Sequence, residues 1–122
     1  MLVYISGKIT GKENYKDDFL KAEQWLRLND HKVLNPSMLS EILPDLKYNQ
    51  LMVIDYKLID LCDAIFMLDG WQRSKGACAE LSYAKTLGKK VMYQDKYKEF
   101  KKRWVEFKNT IVINVEKKLK ML

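Results

Sequence analysis

Short apolar runs alternate along the chain with longer stretches in which apolar residues recur every three or four positions. Leu2-Val3-Tyr4-Ile5-Ser6 is compact, partly β-branched and stopped by Gly7, and it predicts a buried strand. From Glu13 to Leu28 the apolar residues Phe19, Leu20, Ala22, Trp25, Leu26 and Leu28 fall at helical spacing. Asn29-Asp30-His31 is turn chemistry, followed by a brief strand, Lys32-Val33-Leu34, that Asn35-Pro36 ends. Ser37 to Leu43 predicts one or two helical turns before Pro44. Tyr48 to Leu61 reads as a second long helix and Asp63 to Leu68 as the strongest strand. A helix starting at Ser74 or Gly76 runs to Leu87, where Gly88 occupies the position favoured just past a helix end. Val91 to Tyr93 predicts a strand, Lys96 to Lys108 a charged amphipathic helix, and Thr110 to Val115 a last strand.

This alternation argues for an α/β fold: a parallel five-stranded sheet with helices on both faces, in three layers. Right-handed crossovers leave few topologies. The flavodoxin-like (Rossmann-like) order 2-1-3-4-5 sets the first and third strands side by side where the order reverses, and ligands bind at that crevice. Two glycine-marked loops follow those strands, Gly7-Lys8-Ile9-Thr10-Gly11 and Gly70-Trp71-Gln72-Arg73-Ser74-Lys75-Gly76. With the two strands adjacent, both loops face one pocket. No repeat, linker or low-complexity tract interrupts the chain, so residues 1–122 are expected to form a single domain.

Composition narrows the class. The hydrophobic fraction of 48% is ordinary for a globular protein. No apolar run approaches the roughly 20 residues that cross a bilayer, and the start of the chain lacks a signal-peptide pattern. The expectation is a cytoplasmic protein. Cys62 and Cys78 form no close-spaced metal or redox motif; both sit in apolar surroundings and are expected to pack as small hydrophobes. His31, the lone histidine, is expected in an exposed turn. The net charge of +6 comes from lysines that cluster late, from Lys96 to Lys120, among Asp95, Glu99, Glu106 and Glu116. A solvated face explains them better than a nucleic-acid surface, because no nucleic-acid-reading motif is present.

The glycines of the first loop let the backbone approach a ligand, and its amides can cradle an anion. The loop matches neither the Walker nor the dinucleotide spacing, so a monophosphate or a sugar fits better than a triphosphate or dinucleotide. In the second loop Ser74 is placed to cap its helix, and Arg73 and Lys75 beside it could hold a phosphate. Spacing leaves capping and phosphate binding equally open for Ser74. Glu80 lies in Gly76-Ala77-Cys78-Ala79-Glu80-Leu81, where burial would be costly without a partner or a task. Asp55, among Met52, Val53, Ile54 and Tyr56, sits on a helix whose early turns approach the carboxyl end of the third strand. Two carboxylates at one pocket suit cleavage of a glycosidic bond, one ionised and one donating to the leaving group.

The pattern Tyr4-Ile5-Ser6-Gly7-Lys8-Ile9-Thr10-Gly11, then Asp55, then Ser74 six residues before Glu80, resembles the nucleoside 2-deoxyribosyltransferase superfamily. Within it the chain is most similar to the short, often phage-borne proteins grouped as DUF4406, and it also resembles the 2′-deoxynucleoside 5′-monophosphate N-hydrolases. The resemblance spans roughly residues 2 to 94. It implies Glu80 as the nucleophile at C1′, Asp55 as the carboxyl assisting the base, and Tyr4 as the residue orienting the nucleophile. It implies further that Gly7, Lys8, Ile9 and Gly11 surround the sugar 5′ end. Ser74 stands where the transferases carry an aspartate for a free 5′-hydroxyl, and a serine suits a phosphate. Trp71 and Arg73 depart from the hydrolase pattern; Trp71 either stacks on a base or covers the helix end, and Gly76 follows at the helix start. Family members often borrow a C-terminal residue from a neighbouring subunit, for which Asn109 and Asn114 are the candidates here.

The expected function is hydrolysis or transfer of the N-glycosidic bond of a deoxyribonucleoside 5′-monophosphate, through a glycosyl-Glu80 intermediate, with no metal or organic cofactor. The expected partner set is a small nucleotide, a second copy of the chain in a homodimer or larger assembly, no membrane and no nucleic acid. The alternative is a module that binds or senses the nucleotide without turning it over.

Overall fold

The structure is a computed structural model that describes residues 1–97 and 100–121. Four strands form one parallel sheet: β1 (Leu2–Ser6), β2 (Lys32–Leu34), β3 (Ala64–Met67) and β4 (Lys90–Tyr93), in the order β2-β1-β3-β4. The helices are α1 (Tyr15–Leu28), α2 (Leu39–Ile42), α3 (Tyr48–Leu61), α4 (Lys75–Thr86) and α5 (Phe100–Lys120). The parallel α/β architecture and the reversal of strand order between β1 and β3 are as expected. Val3 pairs with Ala64 and Ser6 with Met67, so the carboxyl ends of both strands finish level.

Side chains alternate across the pleat and sort the core into two faces. Val3, Ile5, Ala64, Phe66 and Leu68 point toward α1, where they meet Phe19, Ala22, Trp25 and Leu26. Tyr4, Ile65 and Met67 point the other way, toward Ile59 of α3 and Ala77, Leu81 and Ala84 of α4. Trp25 stacks edge-on against Tyr97 at 4.6 Å and tilts against Phe66 at 5.9 Å, closing the first face. The edge strands begin with exposed lysines, Lys32 and Lys90, which discourage pairing with another chain.

Among the described residues the expected fifth strand is absent. Thr110 to Val115 lies inside α5, a single helix of 21 residues that packs against α1. The segment is rich in β-branched residues, but Phe100, Trp104, Phe107, Ile111, Val115 and Leu119 recur at helical spacing straight through it. That continuous period outweighs a local propensity worth at most about 1 kcal/mol. Lys98 and Glu99, within the helix expected from Lys96 to Lys108, lie outside the described residues. Cys78 also departs from expectation. Cys62 is buried, whereas Cys78 is exposed on the outer side of α4, its Sγ 3.7 Å from the carbonyls of Trp71 and Gln72. His31 is in the turn, partly exposed, with Nδ1 3.4 Å from the N-terminal amine. Among the described residues no helix is long and apolar enough to cross a membrane.

Candidate active site

Two loops leave the level ends of β1 and β3 side by side. Gly7 is held where a Cβ would come within 2.7 Å of the Leu68 side chain, so only glycine fits this approach. Gly70 adopts φ +85°, turning the second loop into a short 3-10 segment, Trp71–Arg73, that leads into α4. Ser74 caps α4, its Oγ accepting from the Ala77 amide at 3.1 Å.

The inward stripe of α4 is Ala77, Glu80, Leu81 and Ala84, spaced three and four apart. The alanines let the helix sit close to the sheet, and Glu80 takes a core position with 6% of its surface exposed. Its carboxylate reaches β1. Tyr4 Oη donates to Glu80 Oε2, and Ser6 Oγ donates to Oε1 at 2.9 Å. Asp55 lies on the corresponding inner stripe of α3, after Leu51 and Met52 and before Ile59. Asp55 Oδ1 is buried and accepts no hydrogen bond from the described residues, while its carboxyl group is close enough to Glu80 and Tyr4 to respond to both.

These carboxyls open onto a cavity of about 530 Å³. Gly7, Lys8 and Ile9 line one side, Arg73, Ser74 and Gly76 the other, with Asp55 and Glu80 between them. Pro36, Leu39, Leu51 and Met52 supply an apolar wall. Tyr4 is fully buried beneath the cavity and touches it through Glu80. Two expected lining residues are elsewhere. Gly11 makes an exposed turn at φ +77°, and Trp71 packs on Tyr93 at 5.9 Å. Trp71 thus covers the helix end rather than the cavity.

Sequence reasoning passed over Ser6 and Tyr48. Alternation along β1 carried a signal for Ser6, since a residue two places from Tyr4 shares its face. Tyr48, which lines the mouth with Lys75 lying 6.0 Å above its ring, gave none because the contact is tertiary.

Burial governs the ionisation here. It pushes the Glu80 carboxyl up to about 8, helped by the charge of Asp55 and opposed by the Tyr4 and Ser6 hydroxyls. Burial likewise raises Asp55, offset by Glu80 and Tyr4. Tyr4 is held well above the usual phenol range by burial and by both carboxyls, so it stays a neutral donor. The two acids therefore titrate as a pair and hold one proton between them around neutral pH.

The family model for DUF4406, described as a domain of unknown function, matches residues 1–93. The chain belongs to the DUF4406 family. That match takes in every strand of this DUF4406 chain, both glycine loops and both carboxylates, and it stops before α5. No curated protein matches the sequence. Among solved structures the fold is similar to a 2-deoxyribosyltransferase from the psychrotolerant bacterium Bacillus psychrosaccharolyticus. The TM-score is 0.60 at 27% identity, covering 76% of this chain and 71% of that one. It is similar in fold also to a 2-desoxiribosyltransferase from Leishmania mexicana, with a TM-score of 0.58 at 24% identity. That second overlap covers 75% of this chain and 62% of the other.

Proposed function

We propose that this DUF4406 protein is an enzyme that breaks the N-glycosidic bond of a deoxyribonucleoside 5′-monophosphate and passes the sugar to water or to a second base. The observation that carries the reading is the pairing of two carboxyls, buried Glu80 and half-buried Asp55, facing one cavity. The likeness of the fold to 2-deoxyribosyltransferases supports glycosidic chemistry. Lys8, Arg73 and Lys75 in the cavity lining, beside the α4 start, support a phosphorylated substrate.

In this scheme Glu80 attacks C1′, the C1′–N bond breaks with its electron pair going to the base, and Asp55 gives that nitrogen a proton. The sugar is left as an ester on Glu80. Water, deprotonated by Asp55, then attacks C1′ and restores the Glu80 carboxylate; a second base in place of water gives transfer. Two inversions give net retention. Glu80 accepts two hydroxyls, which stabilise its anion during attack, and burial raises Asp55, which helps the proton shared by the pair pass to it and on to the base. No metal or organic cofactor enters the scheme. In this scheme Ser74, Arg73 and Lys75 hold the phosphate, and Gly7, Lys8 and Ile9 run along the sugar 5′ end.

A homo-oligomer remains part of the reading, supported by Ile111, Val112, Ile113 and Val115, all exposed on α5 beside Asn109 and Asn114. The test is release of free base from a panel of deoxynucleoside monophosphates and their nucleosides. Release that Glu80→Ala abolishes is the expected result. Tight binding of a monophosphate with no release would instead favour a sensing module.

A further inference from the structure

Ser6 is a residue to which the two-carboxylate scheme gives no step of its own. It ends β1 with 1% of its surface exposed, on the same face as Tyr4. Apart from Tyr4 and Glu80, the buried positions around it are apolar, and a buried hydroxyl in such a setting is unfavourable unless it is bonded. Its Oγ donates to Glu80 Oε1 at 2.9 Å while Tyr4 donates to Oε2, so each oxygen of one carboxylate has its own donor from one strand. Residues two apart on a strand lie only about 7 Å from each other, and the longer tyrosine makes up the difference in reach.

We propose that Ser6 is a positioning residue: with Tyr4 it forms a two-point clamp that fixes the plane of the Glu80 carboxylate and favours its ionised form. The proposal deepens the glycosidase reading and rests on it for its purpose, though the clamp itself can be measured without turnover. A single donor would leave the carboxyl free to rotate about its last bond. Two donors on different oxygens remove that rotation and leave each oxygen a further lone pair for attack. Because α4 holds the Glu80 backbone and β1 holds both hydroxyls, the carboxylate is aimed by two elements that pack on each other. The other groups that bear on Glu80 are Asp55 and Tyr48 of α3, and Lys8, Arg73 and Lys75 line the same cavity. Among them Asp55 works against ionisation, which is the burden the two donors offset.

The test is the titration of the Glu80 carboxyl carbon by NMR in full-length, carbon-labelled protein, the resonance being assigned by its loss in Glu80→Gln. Removing a hydrogen bond to a charged group moves its midpoint by about one pH unit, a tenfold change in the ionised fraction. Ser6→Ala is expected to move the Glu80 midpoint upward by that amount, Ser6→Cys by less, and Asp55→Asn downward. An unchanged midpoint in folded Ser6→Ala overturns the clamp. Should Ser6→Ala fail to fold, Ser6→Cys, similar in size and a weaker donor, decides by the same criterion. In turnover, kcat is expected to fall about tenfold with KM little changed. A raised midpoint without base release from any substrate would retire the glycosidase and keep the clamp. Base release with an unmoved midpoint would do the reverse.

Discussion

The two faces of the sheet are built from the same strands yet carry different loads. Toward α1 the residues are apolar and interlocked: Val3, Ile5 and Phe66 meet Phe19, Trp25 and Leu26, and aromatic rings seal the layer. Toward α3 and α4 the same alternation presents Tyr4 and Ser6, and a carboxylate occupies a core position of α4. One face gains free energy from burial. The other gives some of it up, because a carboxyl driven up to about 8 is disfavoured in its charged form inside the fold. The first face holds the second in place, and the chemistry is confined to where the packing is least favourable.

Exchanging charge for neutrality on the polar face gives the largest expected effect. Glu80→Gln is expected to lower base release by about 10⁴-fold or more, since it removes the proposed nucleophile. The same variant is expected to be more stable. Because the fold raises the Glu80 titration, its neutral form is the favoured one. The associated stability is complete below the unfolded value near 4.5 and is lost as pH rises through about 8. The melting temperature of Glu80→Gln should therefore match wild type at acid pH and exceed it by about 5 °C above pH 8. A variant less stable at every pH would show that the carboxylate is a structural tie and not a burden.

The opposite result is expected on the apolar face. Phe66→Ala should cost about 3–5 kcal/mol in denaturant unfolding and leave the substrate preference of the remaining folded protein unchanged. Asp55→Asn is expected to slow release by about 10²–10³-fold, most for bases that are poor leaving groups, and to remove the fall in rate expected of wild type as pH rises toward 8. The sign follows from the shared proton: above that range both acids are ionised and the proton for the base is gone. The smallest effect is at the mouth. Replacing Arg73 and Lys75 by glutamine should raise KM for a monophosphate about tenfold and leave the matching nucleoside unaffected, read from initial rates on both.

The difference between the faces also explains what could be read in advance. Strand alternation and helical spacing are local, so β1 was visible and the bounds of α3 coincide with those expected, Tyr48–Leu61. Glu80 stood out because a charge among alanines on an inward stripe conflicts with its neighbours. Thr110 to Val115 misled because β-branched content is a weaker determinant than the helical period running through it. Cys78 misled because small residues surround it on both sides of the helix, and only the docking of α4 decides which side faces water. The apolar wall of the cavity, from Pro36 and Leu39 to Leu51 and Met52, exists only once α3 and the loop after β2 approach each other.

The account turns on Glu80 acting as a nucleophile and not merely as a binding group. Acid-quenching the protein during turnover of a deoxynucleoside monophosphate, then measuring the mass of the peptide that contains Glu80, reads this directly. The expected result is a peptide heavier by one deoxyribose phosphate, absent from Glu80→Gln. Steady release of base with an unmodified peptide, at a rate that Glu80→Gln retains, would contradict it.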